Sequence, residues 1–169
     1  MKEKYEECLA ILAVTRQANV TLIVNDHVDL VMMVGADGVH VGQDDLPPAE
    51  IRKLVGEEMI IGLSTHSPEQ AEAAVRQGIV DYIGVGPIFP THTKRNVCAP
   101  VGLAYLDYVA KNISLPFVAI GGIKEHNIGD VRRHGARLVA VVTGITSAED
   151  IALEINTLRQ KPDGMDAAH

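Results

Sequence analysis

The strongest constraint on this fold is a unit that recurs along the chain: an apolar helical stretch, a glycine, then a short β-branched run. Gly35-Ala36-Asp37-Gly38-Val39, Gly78-Ile79-Val80-Asp81-Tyr82 and Gly135-Ala136-Arg137-Leu138-Val139 each close one such helical pattern. Glycine suits the left-handed residue that ends a helix, because it carries no Cβ penalty there. The run that follows reads as a buried parallel strand. Helix starts are equally legible. Ser67-Pro68-Glu69-Gln70 offers a capping serine, a proline at the first helical position and a glutamine three residues after the cap. Ser147-Ala148-Glu149-Asp150 places a cap serine before acidic first-turn residues, and Pro47-Pro48 opens a helix behind an Asp45 cap region.

These signals predict an opening helix over Lys2–Gln17 followed by six strand–helix units. Strands are expected near Thr21–Val24, Gly38–Val41, Met59–Leu63, Tyr82–Val85, Phe117–Ile120 and Leu138–Val142. Strict alternation requires a parallel sheet covered by helices. An open doubly wound sheet and a closed barrel both satisfy it. Polar or glycine-rich residues follow nearly every strand, and only a barrel collects all such loops at one mouth. The expected fold is therefore α/β, a TIM-type (β/α) barrel that is incomplete, with about six of its eight strands present. Residues 1–161 are expected to form one domain, and residues 162–169, which lack periodicity, a disordered tail.

Composition narrows the partners. A chain of 169 residues with 47% apolar and 22% charged side chains is ordinary for a globular domain. Its formal charge of -7 argues against a nucleic-acid surface, which needs a basic face. Small anions are not excluded, since local cations and backbone N–H groups hold phosphate. Cys8 and Cys98 fit no metal or redox spacing and are expected to be reduced thiols. No run is apolar enough to cross a membrane, and Met1-Lys2-Glu3-Lys4 precedes no signal-type core. A soluble, cytoplasmic protein is expected.

Chemistry-bearing residues cluster where strands end. Asn25-Asp26 follows the first strand and Gly42-Gln43-Asp44-Asp45 the second, while the third ends in Ser64-Thr65-His66. Asn25, Asp26 and Asp45 are open to two readings, as helix caps or as ligands. Two carboxylates at adjacent strand ends suit one Mg²⁺, which takes one or two carboxylates plus substrate phosphate oxygens. The fourth strand runs into Thr91-His92-Thr93-Lys94, two hydroxyls and an ammonium in a loop stiffened by prolines. Residues Arg95 to Pro100 show no periodicity and suggest a lid. Gly121-Gly122 after the fifth strand is either a turn or a close approach to ligand, and Thr143-Gly144 ends the sixth. Loops after the last two barrel strands are a recurrent phosphate site. His66 and His92 have no third imidazole at metal spacing and are not assigned a role. No Walker loop, dinucleotide glycine fingerprint or nucleophile elbow occurs.

Several strings together resemble the thiamine phosphate synthase family. They are Leu22-Ile23-Val24-Asn25-Asp26, Gly35-Ala36-Asp37-Gly38-Val39-His40-Val41-Gly42-Gln43 and Gly86-Pro87-Ile88-Phe89-Pro90-Thr91-His92-Thr93-Lys94, joined by Ala119-Ile120-Gly121-Gly122-Ile123 and Val141-Val142-Thr143-Gly144-Ile145. The resemblance runs from about Lys2 to about Leu158, in order and with compatible gaps. It implies a Mg²⁺-dependent transferase that joins hydroxymethylpyrimidine diphosphate to hydroxyethylthiazole phosphate and releases pyrophosphate. It implies Asp26 and Asp45 as metal ligands, and Asn25, Ser64 and Lys94 on the pyrimidine diphosphate, with Ser64 and Lys94 catalytic. It implies Thr91, Thr93, Gly122, Val142 and Thr143 on the thiazole phosphate. Position 143 is usually serine in the family; threonine keeps the hydroxyl.

One departure shapes the expectations. Family members carry two further strands ahead of these, the second with a Gln-x-Arg-x-Lys motif that grips the diphosphate. No such motif precedes Asn25. Charge-assisted hydrogen bonds contribute about 1.5–3 kcal/mol each, so losing two would lower affinity by about two to four orders of magnitude. Weak or absent synthase activity is expected of this chain alone, along with self-association into a homo-oligomer that covers open strand edges. A thiazole tautomerase-like relative and a non-catalytic phosphate-binding barrel are the alternatives.

Overall fold

In the computed structural model, residues 1–91, 93 and 98–161 are described. Their elements are α1 (Lys2–Gln17), β1 (Ile23–Asn25), α2 (Val28–Val34), β2 (Gly38–Val41), α3 (Pro48–Val55), β3 (Ile60–Thr65) and α4 (Pro68–Gln77). Then come β4 (Tyr82–Val85), α5 (Gly102–Asn112), β5 (Phe117–Ile120), α6 (Ile128–Arg133), β6 (Leu138–Ala140), α7 (Thr143–Thr146) and α8 (Ile151–Gln160). The strands form a six-stranded sheet in chain order. The chain divides into two compact units, one of residues 1–64 with 74–83, the other of residues 65–73 with those from Gly84 on. The tail expected to be disordered, 162–169, lies outside the described residues.

In the first unit β1, β2 and β3 pair in parallel, with Ile23 opposite Gly38, Asn25 opposite His40, and His40 opposite Gly62. Their apolar side chains close the core with Leu30, Val31, Val39, Val41, Ile51 and Ile61, each at most 1% exposed. Burying such a side chain contributes about 1.5–3 kcal/mol, so this cluster outweighs any single polar contact in the unit. Aspartates that precede strands hold the register. Asp37 Oδ2 accepts from the Leu22 N–H at 2.7 Å, and Asp81 Oδ2 accepts from the Ile61 N–H at 2.7 Å. Each carboxylate so satisfies an amide just before or within the neighbouring strand. Arg52 reinforces the second clip, donating to Asp81 and to the carbonyls of Gly56, Met59 and Ile79.

In the second unit β5 and β6 pair in parallel, with Val118 opposite Leu138. Val85, Ile88, Leu106, Val109, Ala119 and Val131 form its core. Tyr105 donates to Thr65 Oγ1 at 2.8 Å and Thr65 Oγ1 donates to the Gly84 carbonyl at 3.0 Å, so both hydroxyls are satisfied away from water. Burial pushes the Tyr105 phenol pKa up.

The expected glycines Gly35, Gly78 and Gly135 take φ of 69°, 62° and 94°. Ser67 accepts from the Gln70 N–H at 3.4 Å, and Gln70 Oε1 accepts from the His66 N–H at 2.7 Å, one residue ahead of the usual capping-box partner. Other expectations are corrected. The first strand is Ile23–Asn25 and the last ends at Ala140, because the single turn α7 begins at Thr143. Ser147 closes α7, its N–H donating to the Thr143 carbonyl, so the cap of α8 falls to Asp150, which accepts from the Leu153 N–H at 2.9 Å. A carboxylate oxygen suits the helix N-terminus better than a serine hydroxyl does.

Candidate active site

The first unit brings Asn25, Asp26, Asp45 and Ser64 to the carboxyl ends of three consecutive parallel strands. None of the three acidic or amide residues acts as a cap. Helix α2 starts at a His27 cap and α3 at a Pro47 cap, both without a side-chain capping bond. Asp26 stands in left-handed backbone, φ 64°, while its N–H donates to the His40 carbonyl at 2.9 Å. A non-glycine residue held there marks local strain, which concentrates at functional sites. Among the described residues its carboxylate has no hydrogen-bond or ion-pair partner. Asp45 Oδ2 accepts from the Gly42 N–H at 2.7 Å and shapes the loop after β2. Gln43 Nε2 donates to the Ser64 carbonyl at 2.6 Å, tying that loop to the end of β3.

This donor set fits Mg²⁺. It offers hard carboxylate oxygens on two adjacent strand ends, one of them without a partner to displace among the described residues. Among the described residues no group of three or more His, Cys, Asp or Glu side chains stands together. A softer metal that needs a full protein cage is therefore not served by this set, whereas an ion that shares its shell with substrate oxygens is.

Ser64 is not isolated. Its Oγ lies 2.8 Å from His40 Nε2, and His40 Nδ1 lies 2.9 Å from the Tyr82 hydroxyl. Burial pushes the Tyr82 phenol pKa up, which keeps it protonated.

The second unit carries Thr91, Thr93, Gly122 and Val142 on loops and Thr143 at the start of α7. Thr91 Oγ1 and Thr93 Oγ1 lie 3.0 Å apart. Lys94 and His92 lie outside the described residues, as do Arg95, Asn96 and Val97, half of the segment that suggested a lid. Beyond β4, Ile88 and Phe89 donate to the carbonyls of Ile120 and Gly121 at 2.9 and 3.0 Å. The diglycine is thereby seated against the loop that leads to Thr91. A Cβ on Gly122 would fall 2.6 Å from the Pro90 carbonyl oxygen. Asn127 locks the far side: its Oδ1 accepts from the Lys124 N–H at 2.8 Å and its Nδ2 donates to the Gly122 carbonyl at 3.0 Å. Thr143 opens α7 and lines a cavity of about 320 Å³ with Lys124 and His126. His66 Nδ1 lies 2.5 Å from the Gly86 carbonyl oxygen.

Residues 1–145 match the family described as thiamine monophosphate synthase. The chain belongs to that family. It is 66% identical over 158 residues to the thiamine-phosphate synthase of Pelotomaculum thermopropionicum, covering 94% of this chain and 72% of that one. It is 56% identical over 155 residues to the thiamine-phosphate synthase of Lawsonia intracellularis, covering 92% and 71%. Among solved structures, a thiamine phosphate pyrophosphorylase from Pyrococcus furiosus superposes with a TM-score of 0.85 at 34% identity, over 94% of this chain and 75% of that one. A 3-hexulose-6-phosphate synthase, at TM-score 0.63 and 19% identity, shares the fold alone. The family expected from the motifs is the family found, and the fold class is α/β of the TIM type, as the alternation and the polar strand-end loops together implied.

Three residues escaped the sequence reading, His40, Tyr82 and Asn127, while Gln43 was named in its loop without a role of its own. Two of them left a signal. His40 is a polar side chain in a strand of otherwise apolar residues, and Asn127 is 9% exposed although its type is seldom inside.

Proposed function

We propose that this chain joins hydroxymethylpyrimidine diphosphate to hydroxyethylthiazole phosphate with release of pyrophosphate, in the presence of Mg²⁺. The observation that carries the reading is the Asp26 carboxylate, held in strained backbone at a strand end with no partner among the described residues and with the Asp45 loop on the adjacent strand. Asp26 and Asp45 would hold the Mg²⁺, whose charge favours departure of the diphosphate. Asn25 and Ser64 offer an amide and a hydroxyl to the pyrimidine diphosphate, and Lys94 would add a cation to it. Thr91, Thr93 and Thr143 supply hydroxyls, and Gly122 and Val142 backbone, to the thiazole phosphate. No covalent enzyme nucleophile is needed, because the thiazole nitrogen takes up the pyrimidine methylene once the diphosphate leaves.

The same reading includes one domain over residues 1–161, a cytoplasmic location and self-association. No helix among the described residues is long and apolar enough to cross a membrane. The test is an assay for thiamine phosphate and pyrophosphate with both substrates, with and without Mg²⁺. Weak, Mg²⁺-dependent product that disappears in Asp26→Ala is the expected result. Equal product in the presence of a chelator would overturn the metal assignment, and no product from protein saturated with both substrates would overturn the synthase reading.

A further inference from the structure

His40 lies opposite Gly62 across the β2–β3 pair, with Val39 and Val41 fully buried on the other face of β2. Gly62 is the gap that makes a polar line possible. A Cβ there would fall 2.2 Å from Tyr82 Cζ and 2.4 Å from His40 Nδ1. Through that gap the His40 and Tyr82 rings approach to 5.4 Å between centroids, and Nδ1 meets the phenol oxygen at 2.9 Å. Ser64 is two residues beyond Gly62 on β3, hence on the same face, and its Oγ meets Nε2 at 2.8 Å. Three strands thus supply one hydrogen-bonded line, from Tyr82 through His40 to Ser64 at a strand end.

We infer that this line is directional: Tyr82 donates to His40 Nδ1, His40 Nε2–H donates to Ser64 Oγ, and the Ser64 proton is presented to an acceptor atom of the pyrimidine diphosphate. His40 and Tyr82 are positioning residues that act through Ser64. The direction follows from donor strength. A phenol is a far better donor than an alkyl hydroxyl, and the hydrogen bond at one imidazole nitrogen decides which nitrogen carries the proton. The phenol remains protonated in its buried setting, so it keeps the donor role. With Nε2–H occupying a Ser64 lone pair, the serine hydroxyl is turned from an ambivalent group into a donor aimed away from the ring. The inference rests on the assignment of Ser64 to the pyrimidine diphosphate.

Two measurements test it, one needing no substrate. Long-range nitrogen NMR at mildly alkaline pH, with His40 assigned by comparison with His40→Gln, reads the tautomer directly. The expected state is Nε2–H in the wild type, with loss of that single tautomer in Tyr82→Phe. An Nδ1–H tautomer in the wild type overturns the direction. The second measurement is calorimetric binding of hydroxymethylpyrimidine diphosphate with Mg²⁺. Tyr82→Phe should weaken it about three- to tenfold, the range of one net hydrogen bond. In a Ser64→Ala background the same change should have no further effect, because the line then ends before the ligand. Additive losses overturn the relay and mark Tyr82 as a general packing residue. Undiminished binding in Ser64→Ala overturns both the presentation of its proton and its assignment to the site, a failure that the tautomer reading separates from a misdirected ring.

Discussion

Gly122 and Gly78 adopt nearly the same left-handed backbone, φ 66° and 62°, in opposite surroundings. A Cβ on Gly78 would meet nothing within 4 Å, whereas one on Gly122 would fall 2.6 Å from the Pro90 carbonyl oxygen and 2.8 Å from both Phe89 Cβ and Phe89 O. Gly78→Ala therefore carries only the conformational cost of a left-handed L-residue, about 1–2 kcal/mol. Gly122→Ala carries that cost and an overlap of about 1 Å, judged against ordinary contacts of about 3.5–4.0 Å. Two of the three atoms are backbone and cannot rotate away, so overpacking adds about 1–3 kcal/mol. With a urea m-value of about 1–3 kcal/mol/M, the unfolding midpoint of Gly122→Ala should lie about 1 M below that of Gly78→Ala. The displaced atoms lead straight to Thr91, so calorimetry should also show weaker binding of hydroxyethylthiazole phosphate to Gly122→Ala and unchanged binding to Gly78→Ala. Equal midpoints and equal affinities would refute the claim that this diglycine is defined by its contact with the Phe89-Pro90 backbone.

Arg52, with its side chain only 11% exposed, holds several carbonyls and Asp81, so Arg52→Met should cost about 3 kcal/mol or more in urea unfolding. Asp45→Asn should lose the Mg²⁺ response in diphosphate calorimetry yet keep its melting temperature, since an amide oxygen still accepts from the Gly42 N–H; Asp45→Ala should lose both. Burial raises the Tyr105 phenol pKa above its ordinary value of 10.0, so its contribution to stability is complete below that pH and is lost as pH rises through the folded value. Melting curves at alkaline pH should accordingly fall more steeply for the wild type than for Tyr105→Phe.

The fold was legible where backbone chemistry leaves a mark in residue type. Opening helix α1 and strands β2, β4 and β5 stand where periodicity places them, because apolar period and bounding glycines act over neighbouring residues. Misplacements occurred where distant contacts decide. Ser147 has the right chemistry for a cap, but the turn α7 claims its N–H, and no local pattern announces a one-turn helix. Asp37 and Asp81 were visible as strand-edge residues, yet their partners are amides 15 and 20 positions back along the chain.

The same division runs through the site. Residues proposed to meet ligand lie at strand ends and in loops, where the fold's periodic demands lapse, and so stood out by type: Asn25, Asp26, Thr91, Thr93 and the diglycine. Residues that hold them in place are embedded in strands and helix starts, where their polarity looks like noise. His40 makes the point sharply. From sequence it is one imidazole between two valines, and Gly62 is one glycine in a strand that glycine weakens. Only the parallel register that sets them opposite each other turns the two anomalies into one device, a gap and the ring that fills it. A glycine in a strand opposite a polar residue on the next strand is therefore a pattern worth seeking wherever such loops carry substrate phosphate, because each irregularity is costly alone and explains the other in combination.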